Sequence, residues 1–143
     1  MMRGACFPTS ASRSAVRALL LVLLLVGSAE AGSAAARNVE PPEAAALLRD
    51  NAANPDFVLL DVRTPGEFSR ERLGGAMLID YRAPGFRQKV ADLDRTKSYL
   101  VYCRTGNRST DAVGLMAELG FRNVYHLDGG IERWKSEGLP TQP

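Results

Sequence analysis

The chain has 143 residues, with 18 basic and 16 acidic side chains, two cysteines and one histidine. That length holds one domain with a modest core. A formal charge of +2 gives no reason to expect nucleic acid as a partner.

The N-terminal stretch has a pattern of its own. Residues 1–17 carry Arg3, Arg13 and Arg17 and no acid, and residues 18–26 are nine apolar side chains in a row. Ala29 and Ala31 then offer a small-residue cleavage site. Basic, then apolar, then small is the order of a secretory signal peptide. Nine apolar residues are far fewer than the ~20 that span a bilayer. A second site at Ala34 and Ala36 leaves two places for the cut. No cysteine follows the apolar run, which argues against a lipid anchor. Residues 1–31 are therefore expected to be a signal peptide, with an organelle transit peptide as the alternative. The mature chain is expected to be exported, to the periplasm if the source is bacterial, and to keep no membrane attachment. Removing residues 1–31 takes away three arginines and Glu30, leaving acidic and basic side chains equal in number. No coiled-coil pattern is present, so a monomer is expected.

Cys6 leaves with the signal peptide, and Cys103 remains alone. An unpaired cysteine in an exported protein is a free reactive thiol or an intermolecular link. It has no resolving partner for two-cysteine redox chemistry. One cysteine and His126 fall short of a tetrahedral zinc set, and no cofactor is called for.

Residues 32–37 are small and featureless and are expected to be a disordered leader, with the domain spanning residues 38–143. Asn38 and Val39 can start a short strand. Pro41 and Pro42 open a helix over residues 43–50, where Ala44, Leu47 and Leu48 share one face. Residues 57–62 form a continuous branched apolar run, as in a strand buried on both faces. Residues 64–68 turn into a short helix, 73–76 form a turn and 77–79 a short strand. Phe86, Val90 and Leu93 stand at helical spacing. Residues 94–98 are a polar loop, and residues 99–102 are another buried strand. Ala112, Leu115, Met116 and Leu119 mark an amphipathic helix over residues 110–119, which Gly120 ends. Met116 and Trp134 are expected in the core, and Asp111 suits the helix's first turn. Residues 124–127 are a strand, 128–130 a turn and 131–136 a short helix. Strands alternating with helices predict an α/β fold, a parallel sheet covered on both faces. Ligands bind beyond the carboxyl ends of such strands, so Asp61 to Arg63, Cys103 and Asp128 to Gly130 should meet on one edge.

The chemistry is expected at Cys103-Arg104-Thr105-Gly106-Asn107-Arg108-Ser109. A cysteine between a buried strand and a helix N-terminus meets unpartnered N–H groups, which favour the thiolate. The N–H groups of residues 104–108 should cradle an anion there, with Arg104 and Arg108 attracting it. Arg63 is either a further anion contact or a structural ion pair with Asp61 or Glu67, and the ion pair is preferred because its carboxylate lies in the same motif. His126, two elements away, is expected to be a half-buried strand residue rather than a base.

These residues resemble the single-domain rhodaneses. The loop Cys103-x-x-Gly106-x-Arg108-Ser109 is similar to that family's active-site loop. Asp61-Val62-Arg63 with Glu67-Phe68 resembles its first signature, and Leu127-x-Gly129-Gly130-Ile131 with Trp134 and Gly138-Leu139-Pro140 its last. The resemblance implies a rhodanese-like three-layer sandwich around a five-stranded parallel sheet. It implies a thiosulfate sulfurtransferase of periplasmic type that works through a Cys103 persulfide without metal or organic cofactor. The partners implied are thiosulfate, or a similar sulfur-bearing anion, and a cyanide or thiol acceptor. One departure stands out. Where the family often has Gly-His-Ile-Pro-Gly-Ala, residues 71–76 place Arg72 at the histidine and Gly74 at the proline. The competing readings are a persulfide carrier or interaction module and a cysteine phosphatase or arsenate reductase. Phosphatase-type loops place five residues between Cys and Arg, and four stand between Cys103 and Arg108.

Overall fold

A computed structural model describes residues 36–143. The expected signal peptide and all but the end of the expected leader lie outside the described residues. In chain order the elements are β1 (Arg37–Val39), α1 (Pro41–Asp50), β2 (Phe57–Asp61), α2 (Pro65–Arg70), β3 (Met77–Leu78), α3 (Phe86–Ala91), β4 (Ser98–Tyr102), α4 (Asn107–Glu118), β5 (Val124–Leu127) and α5 (Gly130–Ser136). The leader expectation needs one correction at its end: Arg37 already belongs to β1, where it pairs with Tyr125.

All five strands are parallel, in the order β1-β5-β4-β2-β3. Side chains alternate between the sheet's two faces, as the two-residue period of a strand requires. Leu60, Val101 and Cys103 join Phe86, Val90, Ala112 and Met116 in one core, under α3 and α4. Leu59, Leu100 and Tyr102 join Val39, Ala44, Ile131 and Trp134 in the other, under α1 and α5. The result is a three-layer α/β sandwich with a core on each side of the sheet. Because β4 is central and buried on both faces, its carboxyl end, where Cys103 sits, is held from every side.

The departure at residues 71–76 finds its partners near the C-terminus. Arg72 forms a two-way backbone bridge with Gln142, each N–H donating to the other's carbonyl at 2.8 Å. Leu73 is fully buried, and its N–H donates to the Tyr102 hydroxyl at 3.1 Å. Gly74 lies so close to the Gln142 side chain that a Cβ there would stand 2.8 Å from its amide nitrogen. The loop is therefore closed by the end of the chain rather than by a proline.

Candidate active site

The loop after β4 is shorter than its sequence suggests. The apolar stripe predicts a helix from residue 110, but α4 starts at Asn107, with Gly106 as its N-cap. Gly106 has φ +104°, a left-handed conformation that a side chain disfavours, and it turns the chain from strand to helix in one step. Asn107, Arg108 and Ser109 thus form the first turn of α4, whose free N–H groups face Cys103. The polar loop pattern hid this turn, because its residues are chosen for the site and not for a buried face.

Cys103 is a free thiol and almost fully buried. The Gly106 N–H donates to its Sγ at 3.1 Å and the Ser109 hydroxyl lies 3.3 Å away. Burial opposes ionisation more than any other single influence. The Ser109 hydroxyl and the N–H groups of Ser109, Gly106 and Thr105 together outweigh it, and the thiol lies below its ordinary pKa. The side chains of Thr105 and Asn107 face solvent, which leaves only their backbone to serve the site.

The N-terminus of α5 orients the loop from behind. The N–H of Ile131 donates to the Cys103 carbonyl at 3.0 Å, and that of Glu132 to the Arg104 carbonyl at 3.1 Å. With these carbonyls drawn toward α5, the loop's N–H groups turn toward the sulfur. Gly130 makes the approach possible: a Cβ there would lie 2.5 Å from both carbonyl oxygens. The turn at residues 128–130 therefore does join the Cys103 edge, as the position of strand ends predicts.

The arginines depart from expectation. Arg108 was expected to attract an anion, but its guanidinium is held by Glu67 in two parallel bonds of 2.8 Å. Arg108 holds the Glu67 carboxyl far below its usual range, against a smaller opposing effect of burial, and Thr64 completes the pair through a capping box on α2. Arg104 is exposed and pairs with Glu132 at 2.5 Å. Arg63 is the ion pair rather than the free contact: it is buried against Asp61 at 2.6 Å, donates to the Glu71 carbonyl at 2.7 Å and stacks on Tyr102. Glu67, weighed as a partner for Arg63, belongs to Arg108 instead.

An open cleft of about 360 Å³ lies beside the loop, lined by Arg63, Glu67, Arg70, Arg104, Glu132 and Lys135 among others. Arg63, Arg104 and Lys135 each face a carboxylate, whereas among the described residues Arg70 bonds only the Gly66 carbonyl. Arg70 was missed in the sequence, since nothing marks the last turn of α2 as a cleft wall. Among the described residues, no group of three His, Cys, Asp or Glu side chains is placed to hold a metal.

His126 is also nearer than its sequence position suggests. It is buried rather than half-buried, and its Nε2 lies 2.8 Å from the Ser109 hydroxyl that touches Cys103. Its Nδ1 lies 2.9 Å from Asn38 Oδ1. Asn38 and His126 are register partners of β1 and β5, a pairing visible only once the strand order is known.

A parallel α/β sheet carrying a buried thiol faced by backbone N–H groups and a serine hydroxyl defines a domain suited to cysteine-anion chemistry. The rhodanese-like domain family matches residues 42–137, and the chain belongs to that family. It is 35% identical over 96 residues to the thiosulfate sulfurtransferase GlpE of Pseudomonas fluorescens, covering 67% of this chain and 83% of that protein. It is 37% identical over 95 residues to the GlpE of Pseudomonas aeruginosa, covering 66% and 81%. A rhodanese-related protein of Thermoplasma volcanium has a similar crystal structure, with a TM-score of 0.62 and 32% identity, covering 74% of this chain and 97% of that one.

Proposed function

We propose that this chain is a thiosulfate sulfurtransferase that carries sulfur as a persulfide on Cys103. The observation that carries the reading is a buried sulfur faced by hydrogen-bond donors, at 3.1 and 3.3 Å. The Cys103 thiolate attacks the outer sulfur of thiosulfate, the sulfur–sulfur bond breaks, and sulfite leaves with the bonding electrons. The persulfide's terminal sulfur keeps one negative charge, which the loop amides stabilise. Cyanide or a thiolate then takes that sulfur and releases the Cys103 thiolate. Arg70, which has no carboxylate partner among the described residues, joins Arg104 and Arg108 in attracting the anion. The four residues between Cys103 and Arg108, one fewer than in phosphatase-type loops, argue against a phosphatase.

The test follows sulfur directly. Thiosulfate should add one sulfur to Cys103 in the intact mass, and cyanide should remove it as thiocyanate with turnover. The Cys103→Ser variant should do neither. Loading without turnover would make the domain a carrier, and aryl-phosphate hydrolysis at a matching rate would make it a phosphatase. The basic, apolar and small pattern of residues 1–31 supports export to a bacterial periplasm. Protein recovered from that compartment should begin after Ala31 or Ala36 on N-terminal sequencing, and an uncut chain in the cytoplasm would exclude it.

A further inference from the structure

We propose that His126 is a positioning residue for the reaction: it takes the Cys103 proton through the Ser109 hydroxyl and holds a cation behind the sulfur. The inference rests on Cys103 being the sulfur-accepting nucleophile. Four side chains form one line: Cys103 Sγ, then Ser109 Oγ at 3.3 Å, His126 Nε2 at 2.8 Å from that oxygen, and Asn38 Oδ1 at 2.9 Å from Nδ1. They come from the end of β4, the first turn of α4, β5 and β1. Only the fold brings them together.

The direction of the line follows from what each group can donate. Asn38 Oδ1 only accepts, so Nδ1 keeps its proton, and Nε2 of the neutral ring is the acceptor. Ser109 has one proton to give. The nearby Gly106 carbonyl, 3.0 Å from Oγ, already receives the Thr110 N–H and hydroxyl at 2.9 Å each. His126 Nε2 and Cys103 Sγ therefore compete with that crowded carbonyl for the serine proton.

Proton transfer satisfies both ends. Cys103 S–H gives its proton to Ser109 Oγ as the Ser109 hydroxyl proton moves to His126 Nε2. The products are a thiolate, a neutral serine and an imidazolium, with no change in net charge. Nε2–H then donates to Oγ and the Ser109 hydroxyl to the thiolate, while Nδ1–H stays on Asn38. With the arginines of the loop bound to carboxylates, this imidazolium supplies the compensating charge on the sulfur's inner side.

Burial alone works against a charged His126 and lowers its pKa, so the ring starts neutral. The charged groups that face it are few. Cys103 faces it through Ser109, and the Gly106 carbonyl and Asp128, from the turn after β5, both favour its charged form, while α4 and β1 present uncharged Ser109, Thr110 and Asn38. Asp128 is itself paired with Arg133, which also binds Glu40. Asp128 and the Cys103 thiolate are therefore the two anions that favour the imidazolium.

Because His126 is the only histidine, its ring nitrogens give an unambiguous NMR signal in the untagged full chain. The neutral ring should show the Nδ1–H tautomer. His126 and Cys103 should titrate as a coupled pair, each showing two steps. Cys103→Ala should lower the His126 midpoint by about one unit, since the ring loses the thiolate. In iodoacetamide alkylation of Cys103, His126→Gln should reduce two ionisations to one and keep a reactive thiol, because the glutamine amide donates permanently to Ser109. His126→Leu should raise the thiol's midpoint, and Ser109→Ala should remove the effect of either His126 substitution. An Nε2–H tautomer would overturn the proposal, as would a His126 titration unchanged by Cys103→Ala. These readouts need no sulfur transfer. Coupled titration without a persulfide on thiosulfate treatment would sink the sulfurtransferase reading alone.

Discussion

At the residue scale, the site is a contest over one proton and one negative charge. Cys103 is buried where a thiolate should be costly, and donors reverse the balance. A hydrogen bond to a charged group is worth about 1.5–3 kcal/mol, and 1.36 kcal/mol corresponds to about one pKa unit. Ser109→Ala should therefore raise the pH midpoint of Cys103 alkylation by about one to two units. Arg70 acts at longer range, on an exposed cleft wall. Arg70→Ala should raise the KM for thiosulfate about fivefold, the effect of about 1 kcal/mol of exposed ion pairing, with kcat unchanged. Added salt should shrink the difference between the two proteins. Equal KM values at low salt would give Arg70 no part in attracting the donor.

At the element scale, α5 matters as much as the catalytic loop it touches. Its N–H groups hold the loop's carbonyls, and Gly130 is the point of contact. Gly130→Ala would force a methyl against two backbone oxygens at a φ of +61°. It should cost about 3 kcal/mol of stability and most of the activity, since the amides around Cys103 would turn with the displaced carbonyls. Gly114→Ala is the contrast. Gly114 lies in the middle of α4 with open space where a Cβ would go. That substitution should add about 0.5–1 kcal/mol by helix propensity and leave sulfur transfer intact. Urea unfolding of the two variants checks both signs.

At the scale of the whole molecule, ion pairs close the end of β2 and tie α2 to α4. Asp61 and Arg63 close the carboxyl end of β2, and Glu67 reaches from α2 to Arg108 on α4. The Glu67 pKa is lowered by folding, so its contribution is complete above the unfolded value near 4.5 and is lost as pH falls below it. The stability gap between the protein and Glu67→Gln should be about 1 kcal/mol at pH 7 and close as pH falls from 5 toward 2. A gap that stayed constant with pH would assign the effect to packing.

The local patterns in the chain determine a great deal. Apolar runs without interruption marked β2 and β4, because a strand buried on both faces has no polar side to show. The stripe of Ala112 and Met116 marked α4, and a cysteine between strand and helix marked the proposed nucleophile. Each of these is a property of neighbours in sequence. The extent of α4 was not legible, since its first turn carries site residues in place of an apolar face. Nor were the partners of Arg104, Arg108 and His126. An arginine beside a cysteine looks free until the fold brings Glu132 or Glu67 against it. His126 looks remote until β5 takes its place beside β4 and β1 pairs with β5. Residue identity and spacing settle which groups can carry the chemistry. Strand order alone decides which of them meet, because a parallel sheet joins residues by register across the sheet and not by distance along the chain.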